Sequence, residues 1–244
     1  MPMYKYVKSQ PKKPIHLPIF ISGIFILIGT SMLLWVAWPI VSFSLFSAPL
    51  LTSVITPLQN DIQQSTESIA QQLPVTVQAA EQVNSVVDYT NPNIWFPTKP
   101  QKNIVTPVNI YTLSVPRLKI KDATVKIAGD DLNESLIHYG GTGLPGEYGN
   151  TVIFGHSVLP QFFSPTDYRT IFSTLPTIEK GDEIFIDYDG ITYKYIVEDL
   201  VVRDPTDLTA LEQLYDNSYI TVITCVPPGT YWKRLNVRAK LVDY

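Results

Sequence analysis

The chain has 244 residues, of which 45 % are hydrophobic and only 16 % charged, which excludes a disordered acidic or basic protein. A single cysteine excludes an internal disulfide and any multi-cysteine zinc or iron–sulfur site, and three histidines leave little room for a histidine-rich metal centre. The net charge of −4 argues against nucleic acid as a partner.

Residues 1–16 form a basic tail. Lys5, Lys8, Lys12 and Lys13 are the only charged residues before Asp61, and no formal charge occurs from Pro14 to Asn60. Residues 17–46 are expected to be a transmembrane anchor. The run from Ile19 to Trp38 would span about 30 Å as a helix, the thickness of a hydrocarbon core. Ser22, Thr30 and Ser31 can bond back to helix carbonyls, and Trp35 and Trp38 sit where indoles favour the interface. Lysines ahead of the span place the amino terminus in the cytoplasm and everything after about residue 46 outside. The competing reading, a cleaved signal peptide, requires a shorter apolar core and a small-residue cleavage site, and no clean A-x-A follows.

Residues 47–104, rich in Gln, Ser, Thr, Asn and Pro, read as an extracellular stalk. Leu58, Ile62, Ile69 and Leu73 make a thin stripe near helical spacing, closed by Pro74. From residue 105 to 244 the pattern changes to strands. VNIYTLSVP, ATVKIA, NTVIFG, DEIFIDY, TYKYIVEDLVV, YITVITCV and LNVRAKLV are rich in β-branched and aromatic residues, punctuated by Gly, Pro, Asn and Asp. Lys180-Gly181-Asp182 and Asp189-Gly190 read as tight turns. Leu208 to Tyr215 is the best helix candidate, with Asp207 as cap. The prediction is an all-β barrel or sandwich with one core.

Cys225 ends a strand that Val226, Pro227 and Pro228 terminate, so its side chain lies beside a loop. A free cysteine is as often a small buried hydrophobe as a nucleophile. If the next strand returns through a hairpin centred on Gly229-Thr230, Arg234 lies directly opposite Cys225, within ~4.5–5.5 Å between Cβ atoms. A guanidinium there would favour thiolate and bind a developing oxyanion. Arg238 shares the face but lies further off and reads as structural or solvent-facing. His156, at the end of the run Thr151–Phe154, is the preferred proton partner. His138 precedes a glycine-rich loop, and His16 sits at the cytoplasmic membrane boundary. Both candidate histidines precede the cysteine on an all-β pattern, which disfavours a papain-like architecture.

These residues resemble the sortases, membrane-anchored cysteine transpeptidases of bacterial surfaces. Thr221-Val222-Ile223-Thr224-Cys225 is similar to the family's T-L-x-T-C strand, with Val222 in place of leucine. RLNVRAK, opening on Arg234, is similar to its second signature, and GNTVIFGHS to the segment that carries its histidine. LPGEYGN upstream also looks like the family, and the resemblance covers about residues 110–243. It implies a sortase-like eight-stranded β-barrel with short helices, behind the anchor and stalk. It implies that Cys225 attacks the Thr–Gly bond of an LPxTG-like sorting signal. His156 would move protons, and Arg234 would hold substrate or oxyanion. Val226, through its N–H, and Thr224 would contribute to oxyanion or substrate binding. The acceptor would be an amine of a cell-wall precursor peptide or a pilin lysine, and the loop from about Arg203 to Asn217 would help set peptide preference.

The chain ends without a second apolar span and shows no identifiable lid, so anchoring is favoured over pilin polymerisation. No cofactor is implied. Asp130, Asp131 and Glu134 show no ligand spacing, and the sequence does not decide calcium dependence. A hydrolytic cysteine peptidase on the same scaffold and a catalytically silent membrane-tethered module are the competing functions.

Overall fold

The computed structural model describes residues 17–51, 88, 90–96, 98–102 and 106–242. The basic tail with His16, and the stripe Leu58, Ile62, Ile69 and Leu73, lie outside the described residues. The chain divides into two compact units, Met1–Trp38 and Pro39–Tyr244.

Helix α1 covers Leu17–Ser42 and continues through a π-helical turn, Phe43–Ser47, and a last turn, Ala48–Leu51. Five consecutive residues, Ile24 to Ile28, are all exposed, so the apolar surface wraps the whole circumference. A helix of a soluble core would instead bury one stripe. The helix is long and apolar enough to cross a membrane. Within the second unit, Phe43 is buried against the barrel core, with Ala48 and Leu51 packed beside it.

Eight strands close into a barrel: β1 (Ile110–Val115), β2 (Ile120–Ile127), β3 (Leu136–His138), β4 (Gly149–Phe154), β5 (Glu183–Tyr188), β6 (Ile191–Arg203), β7 (Ser218–Val226) and β8 (Lys233–Leu241). Their order around the barrel is β1-β2-β3-β4-β7-β8-β6-β5. The β5–β6 hairpin turns at Asp189-Gly190, both at positive φ, as a two-residue loop between right-twisted strands requires. β4 and β7 run parallel, with Phe154 beside Ile223, so their carboxy-terminal ends emerge side by side.

Alternation sorts the side chains into two clusters. Ile153, Ile220, Val222, Val226, Leu235 and Val237 point into the barrel. Val152, Phe154, Ile223 and Cys225 point outward into a second cluster, completed by Trp95, Phe96, Leu132, Tyr139, Ala210 and Leu211. All nine residues of β7 are buried because other segments cover its outer face.

Three features depart from the sequence reading. β3 has only three residues and too little alternation to register as a strand. The helix expected over Leu208–Tyr215 is a single 3-10 turn, Thr209–Leu211. Its N-cap is Leu208 rather than the expected Asp207, whose Oδ1 accepts from the amide and hydroxyl of Thr209 one residue ahead of the cap. The helix stops because Gln213 turns back to the barrel, its Oε1 accepting from the amides of Gly143 and Asn150. Lastly, the end of the expected stalk is folded: Trp95 and Phe96 are 1 % exposed, and Tyr139 Oη donates to the Lys99 carbonyl at 2.5 Å.

Candidate active site

The β7–β8 register sets Cys225 opposite Arg234. Arg234 Nη1 lies 3.3 Å from Cys225 Sγ and also donates to the carbonyl of Tyr231 at 3.2 Å. The guanidinium carbon stacks 4.6 Å from the centroid of Trp95, and the residue is 3 % exposed. Its Nε has no hydrogen-bond partner among the described residues. A buried donor without an acceptor is costly unless something else occupies it. Here it is an uncommitted donor on the residue whose Nη1 meets the sulfur.

Backbone contacts fix the position of His156. The Gly155 amide donates to the Ile223 carbonyl, and Thr224 Oγ1 donates to the Gly155 carbonyl. Ser157 Oγ donates to the Cys225 carbonyl at 2.7 Å, and the Phe172 amide donates to the carbonyl of His156 itself. The residues on either side of the imidazole are thus tied to the last three residues before and at the sulfur. Gly155 cannot carry a side chain, since a Cβ would stand 2.3 Å from the Phe172 ring. Thr224 is fully buried with its hydroxyl engaged, and Val226 faces the barrel interior. Both back the site through the strand rather than through exposed side chains.

His138 is elsewhere. It lies within the barrel, fully buried, with Nδ1 3.1 Å from the Tyr111 hydroxyl. Burial drives its pKa down to about 4. Its folded value lies below the unfolded one, so its contribution to stability is complete above pH ~6.5 and is lost as pH falls through 4. The loss amounts to about 3 kcal/mol. Urea midpoints between pH 7 and pH 4 should therefore fall steeply in the wild type, and His138→Gln should flatten that slope. Arg238 pairs in register with Thr221 and Asp199 and borders a polar groove.

One element of the site was not legible in the sequence. Residues 91–96 run across the outer face of β4 and β7, led by a 3-10 turn, Pro92–Ile94, that Asn91 caps. Trp95 touches both charge-bearing partners, 6.3 Å from the His156 ring and stacked on Arg234. Phe154 meets Trp95 edge to face at 5.2 Å, and Phe96 packs on Tyr139 and Phe154. The Leu132 amide donates to the Thr90 carbonyl, pinning the segment from the other side. Its only sequence signal is a pair of adjacent large aromatics inside a polar run.

Under this cover Cys225 is 1 % exposed. Burial pushes its pKa up to about 11, against a smaller opposing pull from Arg234. Burial also lowers His156, offset in part by the carboxylates of Asp131 and Asp88. At rest the thiol and the imidazole are therefore both neutral. Such an arrangement can perform nucleophilic acyl chemistry once the cover moves.

The Sortase domain model matches residues 113–242. A curated relative, Sortase D of Bacillus subtilis (strain 168), is 25 % identical over 118 residues, covering 47 % of this chain. The match spans about half of that relative, 53 % of its length. Among solved structures, sortase C-1 from Actinomyces oris is 27 % identical with a TM-score of 0.50, covering 57 % of this chain and 76 % of that one. A lid mutant of sortase A from Corynebacterium diphtheriae is 31 % identical with a TM-score of 0.49, covering 57 % and 73 %.

Proposed function

The chain belongs to the sortase family, and on that premise we propose that it is a membrane-anchored transpeptidase acting on LPxTG-like sorting signals of surface proteins. The observation that carries this reading is Arg234 Nη1 at 3.3 Å from Cys225 Sγ, at the end of β7 that runs beside the end of β4, two residues before His156. Cys225 Sγ attacks the threonine carbonyl as its proton passes to His156. The Arg234 guanidinium, whose Nη1 already reaches the sulfur, donates to the oxygen on which negative charge develops. The tetrahedral species collapses, His156 hands its proton to the departing glycine nitrogen, and a thioacyl enzyme remains. An incoming amine then attacks the thioester carbonyl, gives its proton to His156, and expels the sulfur, which regains a proton. The amine belongs to a cell-wall precursor peptide or a pilin lysine.

An apolar helix exposed on every face supports the anchor, with the four lysines of the amino-terminal tail inside and the barrel outside. An enzyme held there meets exported substrates at raised local concentration.

The test is incubation of the full-length protein with a sorting peptide and a labelled amine. Amine-containing product and a mass-detected acyl adduct on Cys225 are expected, and Cys225→Ala should yield neither. Hydrolysis alone, in the presence of saturating amine, would replace transpeptidase by peptidase. Unchanged function in Cys225→Ala would identify a silent structural module.

A further inference from the structure

Four segments of the second unit carry no Asp, Glu, Lys or Arg: residues 39–51, 155–166, 170–178 and 225–232. They are distant in sequence but meet at one end of the barrel. The turns that follow α1 and the loops after β4 and β7 enclose a cavity of about 240 Å³. Phe43 and Phe46 line it from the helical side; Pro160, Thr174, Pro176 and Pro228 line it from the barrel. Gly229 approaches so closely that a Cβ there would stand 3.2 Å from the Leu159 side chain, so the β4 and β7 loops adjoin.

This end also displays large apolar side chains. Phe46 is 65 % exposed, Phe162 57 % and Trp232 63 %. Scattered single hydrophobes need no explanation, but three on uncharged segments that meet at one end do. The opposite end offers a contrast. Tyr148, Tyr215 and Ile191 are exposed there too, but Glu147, Asp189 and Asp216 stand among them. At the uncharged end Asp167 and Arg169, between two of these segments, neutralise each other in an ion pair, so an anionic bilayer would repel the opposite end and not this one. The decisive observation is continuity: the apolar span Ile21–Ser47 runs on into this unit, which begins at Pro39, and its last turns line the cavity at the uncharged end.

We propose that the uncharged barrel end, presenting Phe46, Phe162 and Trp232, lies in the headgroup–acyl boundary of the bilayer and holds the mouth of the Cys225 site at the membrane surface. Aromatic side chains favour that boundary, and apolar faces settle about 5–10 Å into it. The occupant is the lipid surface itself. The ion pair Lys233–Asp204 marks where the barrel end returns to water. The proposal rests on the anchor reading above. It adds that the catalytic barrel does not hang free on a tether but presents one fixed face to lipid.

The test uses the full-length protein in nanodiscs of phosphatidylethanolamine and phosphatidylglycerol. Cys225→Ala removes the one native thiol, and an environment-sensitive fluorophore is placed singly through Trp232→Cys, Phe162→Cys, Ile191→Cys or Leu27→Cys. Doxyl-labelled lipids report contact. Quenching at Trp232 and Phe162 should exceed that at Ile191 by at least about twofold, with Leu27 the strongest. Quenching at Leu27 with both rim positions equal to Ile191 overturns the proposal and leaves the anchor standing. No quenching at Leu27 overturns the anchor and the proposal together.

Discussion

Arg234→Ala is expected to lower kcat/KM for a sorting peptide by about 10²–10³-fold, the usual cost of removing a donor to a developing oxyanion. The guanidinium acts at three points: on Cys225 Sγ, on the Tyr231 carbonyl and on the Trp95 ring. Alanine removes all three, so a stability loss would accompany the kinetic one. Arg234→Met keeps the stem against Trp95 and loses only charge and donors, and it should retain most of the kinetic defect. Arg234→Lys should recover little, because a point ammonium cannot reach the sulfur and the carbonyl while also offering a free N–H. A second readout is the thiol itself: without the guanidinium, the pKa of Cys225 should rise above about 11. Near wild-type turnover in Arg234→Met would remove the guanidinium from the mechanism.

Trp95→Ala should raise the alkylation rate of Cys225 at pH 8 by about a hundredfold. Protonation sets the factor. Burial holds the thiol near 11, and exposure to water should return it to about 9 or below, so each unit recovered multiplies the thiolate fraction tenfold. Steric access adds to this, since the sulfur is almost fully covered. Truncating a buried tryptophan costs about 3–5 kcal/mol, so urea unfolding must be measured alongside to separate local opening from global unfolding. Trp95→Phe should alkylate at close to the wild-type rate. An unchanged rate in Trp95→Ala would show that the indole does not govern access.

The parts of the site legible in the sequence were those set by local periodicity. A two-residue strand period and a Gly229-Thr230 turn suffice to place Cys225 opposite Arg234, and the ladder has that register. The tight turn at Asp189-Gly190 is legible for the same reason. What periodicity does not encode was missed. Trp95 belongs to an irregular Pro- and Asn-containing segment whose place is decided by Phe154 and Arg234, far away in sequence. β3 is held by its neighbours β2 and β4 rather than by its own pattern. The Leu208–Tyr215 stretch has helical spacing, but Gln213 gains more from three hydrogen bonds to Gly143 and Asn150 than from continuing a turn. The choice between His156 and His138 was open to sequence reasoning only as a preference. The barrel separates them physically, one inside with Tyr111 and one outside against Trp95.

The parallel pairing of β4 with β7 has a consequence for variation. The two strands end together, and three hydrogen bonds at Gly155, Thr224 and Ser157 join residues about seventy positions apart. Within the intervening excursion Phe172 must stay, since its amide holds the His156 carbonyl, but the 204–217 connection can change without shifting the imidazole relative to the sulfur, provided those rungs survive. Grafting another such connection onto this scaffold should leave the spacing of His156 and Cys225 unchanged.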